Sequence, residues 1–377
     1  MVKGVLLTLM VGPVVPTPVP AAALEVLQDV TVFSSAEPGT PSGFELKFML
    51  RKRSPLETVF LLASGVPVPL IRVIIVVTLN GVSEVLIDGV VTKQQVSPGA
   101  DPGHSVLTIT GVDLTALMDL VSLDGLPYPA LPSSARVLLI LAKYAVFGVV
   151  PMVIPSPLLD VPNPLERTPV QQGTDLNYIN LLASRTGYVF FVKPGPKLGM
   201  SIAYWGPDVK IGVPQPALNI NMDAHTNVEA LNFSLNGDKR VLPTVYIQDL
   251  TTKRILNVPI PPISPLNPPL GAIPLLPLKI QPTVGTAKMS VPQALMVGWA
   301  KASRSCDAVE GEGKLDVLRY GRTLKARGLV GVRGAGTAFD GLHYVRSVTH
   351  HIQRGEYKQD FQLIRNGLIS TLPRVPA

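Results

Sequence analysis

The sequence predicts a mainly β, α+β protein in which two β-rich regions flank a mixed α/β middle. Three observations lead there. FELKFMLR alternates strictly, with Phe44, Leu46, Phe48 and Leu50 on one side and Glu45, Lys47, Met49 and Arg51 on the other, the period-two signature of a half-buried strand. IRVIIVVTLNGVSEVLIDGVV (71–91) places two apolar runs around Asn80-Gly81, a dipeptide that suits a type I′ hairpin turn. Abundant valine, isoleucine and leucine with 38 prolines describe buried strands joined by extended loops.

Each further element follows from local signals. SVLTIT (105–110) adds a strand, and VDLTALMDL (112–120) reads as a helix started by Asp113. Strands of this length with short turns over 28–110 make a small barrel or sandwich. Past Pro127, Pro129 and Pro132, SSARVLLILAKYAVFG (133–148) reads as a serine-capped helix closed by Gly148, apolar on most faces and therefore buried. In QQGTDLNYINLLASRTGYVFFVKPG (171–195), Thr174 caps a helix with an apolar face of Leu176, Ile179, Leu182 and Ala183. Gly187 ends that helix and YVFFV continues as a strand. MSIAYWG (200–206), PALNINMD (216–223), VEALNFSL (228–235) and PTVYIQDL (243–250) are further strands. The stretch 257–282 holds eight prolines between Pro259 and Pro277, and another at Pro282. It is extended, unfit for a sheet interior, and rich enough in Leu and Ile to pack along a surface. Ser290, Pro292 and Gln293 open a helix over ALMVGWAKAS. KLDVLRYG, TLKARGLVGVRG, LHYVRSVTHHI (342–352) and YKQDFQLIRNG (357–367) then read as closing β structure.

Composition excludes several classes. The chain of 377 residues suits two or three domains. Its single cysteine, Cys306, excludes an intrachain disulfide and a multi-cysteine zinc site, and the RSCD context offers it no histidine as a nucleophile's partner. A formal charge of +7 comes from a chain only 16% charged, whose basic runs never exceed Arg51-Lys52-Arg53. That argues against a specific nucleic-acid surface. The hydrophobic fraction of 46% is broken by prolines and charges before any run reaches the length of a membrane span. Lys3, GVLLTLMVG and Ala21–Ala23 imitate an export signal. Pro13, Pro16, Pro18 and Pro20 oppose it, so 5–12 reads as a strand or docking arm.

The search for chemistry yields no catalytic, cofactor or metal residues. His343 and His351 are expected to share one strand face and His350 the other. Eight residues separate the first pair, about 27 Å at strand rise, too far to ligate one ion. His104 and His225 fall in turns without a ligand pattern. GLVGVRGAGTAFDG (328–341) leads into a strand rather than a helix, so its glycines serve turns or bulges, not phosphate. Asp223 and Glu229 are the one acidic pair considered for hydrolysis, and nothing marks them.

Two segments carry a resemblance. QGTDLNYINLLASRTGYVFFV (172–192) and GLVGVRGAGTAFDGLHYVRSVTHHIQRGEYKQDFQLIRNG (328–367), about a sixth of the chain, are similar to the phage late control protein D family. These are baseplate hub proteins of contractile tails, whose architecture also forms the base of type VI secretion spike proteins. The shared features are Gln, Thr-Asp, Leu-Ala and Gly before an aromatic strand, then Asp-Gly, Tyr-Val, Val-Thr-His and Phe-x-Leu-x-Arg. The resemblance implies two tube-like β-barrel domains, 1–112 and 225–377, around a middle domain, 113–224. It implies a non-enzymatic homotrimer, assembled in the cytoplasm, that joins a sixfold tail tube to a threefold spike beside baseplate wedge components. With the sequence ending at Ala377 soon after the closing segment, the spike is expected to be a separate protein. This account requires two look-alike barrels, and a single continuous sheet would count against it. The alternatives are a secreted β-rich binding module and a cell-wall hydrolase.

Overall fold

The computed structural model describes residues 4–50, 70–98, 105–157, 162, 168–248, 255–260, 267–283, 285 and 291–372. The basic run 51–53, His104 and Ser290 lie outside the described residues. The first part of the chain runs β1 (Val5–Gly12), β2 (Thr17–Pro18), α1 (Ala21–Glu25), β3 (Leu27–Ser35), β4 (Gly43–Leu50), β5 (Arg72–Leu79), β6 (Val82–Pro98), β7 (Ser105–Asp113) and α2 (Thr115–Met118). The middle holds α3 (Ser133–Ala142), β8 (Val149–Val153), α4 (Asp175–Thr186), β9 (Val189–Pro194) and β10 (Ser201–Gly206). Then come β11 (Gln215–Asn219), β12 (Ala230–Leu235), β13 (Val241–Gln248), β14 (Ile255–Pro259), β15 (Gly271–Pro274), β16 (Lys279–Thr283) and α5 (Val291–Ser305). The chain closes with β17 (Val309–Asp316), α6 (Val317–Tyr320), β18 (Leu329–Arg333), β19 (Gly341–Gln353), β20 (Glu356–Arg365) and β21 (Gly367–Ser370).

Local signals place the first strands. Phe44, Leu46, Phe48 and Leu50 are all buried, as their alternation predicts. Each contributes about 1.5–3 kcal/mol of burial. Asn80 and Gly81 both take positive φ, 51° and 81°, and link Leu79 directly to Val82, which is the backbone a type I′ turn needs. β1 pairs with β5 along its whole length, from Val5 opposite Leu79 to Gly12 opposite Arg72. Leu9, Val11, Val19 and Ala23 are buried in the main core. Residues 5–23 are therefore part of the fold.

Closure of two separate barrels is not seen among the described residues. Strands of both β-rich regions form one 13-stranded sheet in the order β12-β17-β20-β19-β3-β4-β7-β6-β5-β1-β2, with β18 and β11 branching from β19. The join is the antiparallel pairing of Ser347–Gln353 with Asp29–Ser35. One buried cluster accordingly unites Val30, Phe44, Leu46 and Ile75 with Leu315, Val345, Phe361 and Leu363. Both strands present alternating apolar faces on the same side, so edge pairing merges the cores. β19 forks the sheet, since Gly341–Tyr344 pair with β18 before the strand reaches β3.

A bulge at Arg346, between Val345 and Ser347, overturns the expected histidine faces. An extra residue reverses the alternation beyond it. His343 and His350 are consequently both buried, at 0% and 5% exposure, and His351 is the more open one.

The middle region has its own core, in which α3 and α4 cover one face of the three-stranded sheet β8-β10-β9. Thr174 caps α4 by accepting from the Asn177 amide at 3.3 Å, and Gly187 ends it at φ 68°. α3 departs from expectation twice. Pro132 occupies its cap, while the Ser133 hydroxyl accepts from Arg136 Nη2 at 3.2 Å. Leu138 and Leu139 are 45% and 56% exposed, so the helix is buried on one face only. Asp113 starts only the single turn of α2, accepting from the Thr115 amide at 3.0 Å. β11 pairs in parallel with β18, which carries the chain back into the main sheet. KLDVLRYG is not one strand: Asp316 accepts from the Leu318 and Arg319 amides and starts α6.

The proline-rich stretch supplies short edge strands. β14 and β16 flank β13, and β15 pairs with β21. Ile273, Leu276, Leu278 and Ile280 remain exposed. α5 packs over β13 at Gly298, where a Cβ would lie 2.6 Å from Val245 Cγ2 and 2.8 Å from Ile260 Cγ1.

Candidate functional site

The two motif segments and the junction between sheet and middle region hold the most elaborate polar groups. Around α4, Asp175 is 3% exposed and its carboxylate accepts from Gln171 Nε2 at 2.8 Å and the Tyr144 hydroxyl at 2.7 Å. Lys143 adds an ammonium at 2.5 Å. Gln171 in turn accepts from the Tyr128 hydroxyl at 2.7 Å. Burial, then the neighbouring Asp175 charge, pushes the Tyr128 phenol up to about 12. Thr174-Asp175 therefore both caps α4 and anchors the turn before it to α3. Gln171, just outside the quoted segment, is the buried partner that sequence reading missed. Its neighbour Gln172 is exposed.

The second knot explains the closing motif. Arg365 is fully buried, and among the described residues no carboxylate pairs with its guanidinium. Its donors reach Gly367 O at 2.6 Å, Ala338 O at 2.5 Å, Asp340 O at 2.9 Å and Phe339 O at 3.4 Å. The arginine of Phe-x-Leu-x-Arg thus moulds the glycine-rich loop that ends in Asp340-Gly341. Gly341 sits at φ 125°, and a Cβ there would lie 2.7 Å from Ser370 Oγ and 3.1 Å from Arg365 Nη1. Asp340 Oδ1 accepts from the Ala335 amide at 2.8 Å. The loop joins strand to strand, as its sequence predicts.

At the junction, Arg72 and Asp88 form a buried bidentate pair, at 2.7 and 2.6 Å. Arg72 also donates to Val14 O at 2.8 Å and Gly199 O at 3.0 Å, and Ser201 Oγ donates to Asp88 at 2.9 Å. One ion pair therefore bolts together the N-terminal arm, the main sheet and the middle region. Charge-assisted bonds in low dielectric suit holding rigid parts in register.

The remaining candidates are dispersed. His343 donates through Nδ1 to Gly341 O at 3.3 Å, and burial depresses it to about 3. His350 Nδ1 lies 2.8 Å from the Tyr357 hydroxyl, and burial depresses it to about 3 as well. His351 Nε2 is 3.1 Å from Asp360. His225 and Asp223 are exposed in one 3-10 turn, whereas Glu229 is held by Lys358 at 3.1 Å. Burial, then the Asp307 charge, pushes the Cys306 thiol up to about 11, which disfavours a reactive thiolate. Among the described residues no group of three His, Cys, Asp or Glu could hold a metal, and no helix is long and apolar enough to cross a membrane.

No family model and no curated protein matches the sequence. Solved structures do. A tail protein from Neisseria meningitidis aligns at TM-score 0.61 and 13% identity, over 97% of this chain and 98% of its own. The 43 kDa tail protein of prophage MuSo2 from Shewanella oneidensis aligns at TM-score 0.58 and 15% identity, over 97% and 99%. An E. coli type VI secretion component, described as similar to T4 bacteriophage tail proteins gp27 and gp5, aligns at TM-score 0.55 and 13% identity, over 93% and 77%. This chain has the phage tail-protein fold. The resemblance carried by 172–192 and 328–367 points to the same set of proteins, and the likeness in fold runs through the intervening and flanking regions too.

Proposed function

We propose that this chain is a structural baseplate hub of a phage tail or contractile injection system, without enzymatic turnover. The observation that carries the reading is end-to-end likeness, nearly all of this chain matching nearly all of two tail proteins, one of them from a prophage. In the finer form of the proposal it is a homotrimer, assembled in the cytoplasm, that joins a sixfold tube to a threefold spike and contacts baseplate wedges. The chain neither inserts in a membrane nor recognises nucleic acid specifically.

The continuous sheet counts against the version of that adaptor that needs two look-alike barrels. Among the described residues the two β-rich regions share one sheet, so look-alike units would be joined in pairs within each chain. In the proposed ring each subunit contributes this joined sheet as one wall. A wall of this kind transmits load through continuous backbone hydrogen bonds. Exposed Leu276, Leu278 and Ile280 on the proline-rich arm supply apolar area for subunit contacts, which in stable assemblies bury about 1,200–2,000 Å² or more.

Mass measurement of the purified chain with negative-stain imaging tests the proposal. A threefold ring with a central channel is expected. A compact monomer at micromolar concentration that joins no ring when mixed with its tube and spike proteins overturns it.

A further inference from the structure

A cavity of about 440 Å³ opens where all three parts of the chain meet, between β3–β4, the start of β6, the end of β9 and the segment 324–327. Its wall carries Lys193, Lys325 and Arg327 against Glu84, Asp88 and Asp113. Most of these charges are already committed. Asp88 is neutralised by Arg72, and Glu84 by Lys325 at 3.0 Å. Asp113 is buried and accepts from the Ser42 and Thr115 amides and the Thr115 hydroxyl.

Counting Arg72 with the wall gives four cations against three carboxylates, so one positive charge is left over. The surplus falls at Lys193, beside Arg327. Arg327 donates to Ala36 O at 3.3 Å and lies 3.7 Å from the Phe191 ring centroid. Asp208 and Asp113 also reach it electrostatically; Asp208 and Asp307 in turn face the two cations Lys210 and Arg304. Among the described residues Lys193 has no carboxylate partner. It is an exposed residue overall, yet crowding at the cavity wall, then Arg327, then Lys325, holds it below the usual lysine value. His350 completes the wall as a neutral ring. Cations held together without a matching anion are stabilised by an anionic guest.

The geometry points to an oxyanion site: a phosphate or carboxylate group seated between Lys193 and Arg327, with serine hydroxyls of the same wall as further donors. Ser34 and Ser42 line the cavity and suit an acceptor with several lone pairs. A guest there touches β-rich regions and middle region at once, so it fastens the junction that Arg72–Asp88 holds from inside.

Calorimetric titration of the full chain tests this, with inorganic phosphate in one arm and N-acetyl-glutamate amide in the other, at ionic strength fixed with sodium chloride. Saturable binding is expected in at least one arm. Lys193→Gln is expected to weaken it about tenfold or more, the loss of one charge-assisted contact, while the exposed control Lys93→Gln leaves it unchanged. Phosphate alone binding identifies a phosphoryl or free-phosphate source, and glutamate alone an acidic side chain. Circular dichroism checks that Lys193→Gln is folded. No saturable heat in either arm, or equal affinity in wild type and Lys193→Gln, overturns the site.

Discussion

Replacing Arg365 by methionine isolates the buried knot that shapes the closing loop. The guanidinium satisfies the carbonyls of Ala338, Asp340 and Gly367 within 2.9 Å and touches that of Phe339 at 3.4 Å. A buried acceptor left without a donor costs about 1–3 kcal/mol, and three are orphaned at once. Removing a buried charge recovers part of its desolvation cost, and water entering the relaxed loop recovers more. The net expectation is a loss of about 3 kcal/mol, a large share of the roughly 5–15 kcal/mol typical of folded proteins. Arg365→Lys retains the charge but offers a single point donor to a planar set of acceptors, and is expected to lose about half as much. Urea unfolding followed by circular dichroism measures the global change. Hydrogen exchange across 334–341 and 367–370 measures the local one, which matters because a chain with two cores need not unfold in one step. A stability within about 0.5 kcal/mol of wild type, with unchanged exchange in 334–341, would show that the loop is shaped by something other than Arg365.

Further outcomes follow from the same structure. His343 and His350 are held neutral by burial, each depressed from 6.5 to about 3. The unfolded chain therefore binds more protons between those values, and stability falls as pH drops through that window, by about 2 kcal/mol per histidine at pH 5. Urea midpoints at pH 7 and pH 5 should diverge accordingly, and His343→Leu should flatten the difference by about half; a parallel slope in that variant refutes the assignment. Gly298→Val drives new atoms into Val245 and Ile260 and should cost about 1–3 kcal/mol, read as a lowered midpoint for α5 and the β13 sheet. Arg72→Met leaves Asp88 buried without its counter-charge, at a cost of about 3–5 kcal/mol. Limited proteolysis should then release the middle region before the main sheet is cut. Double replacement of Leu276 and Ile280 by serine should shift the proposed trimer toward monomer in sedimentation velocity while leaving the monomer's circular dichroism unaltered.

Some of this was written in short stretches of sequence. Asn80-Gly81 requires two residues of positive φ, which few other pairs tolerate, so its hairpin was readable from the dipeptide. The alternation of Phe44 to Leu50, the Thr174 cap and the Gly187 stop are equally local, because each depends on neighbours within one turn or one pleat. The exposed side of α3 was not readable. Leu138 and Leu139 look like core residues, and only their place opposite the face covered by β8 and α4 leaves them uncovered.

What the tertiary structure decided involves partners far apart in the chain. Ser347–Gln353 choose Asp29–Ser35 as their edge, merging what looked like two barrels into one sheet. The bulge at Arg346 exists only once β19 is laid against β20, and it moves His350 inward. Arg365, Gln171 and the Arg72–Asp88 pair gave no signal of burial, since a charged or amide side chain reads as surface until acceptors from other segments surround it. Periodicity is a property of one strand, and sequence holds it completely. Register and the satisfaction of buried polar groups are properties of pairs, and they come into being only when distant strands meet.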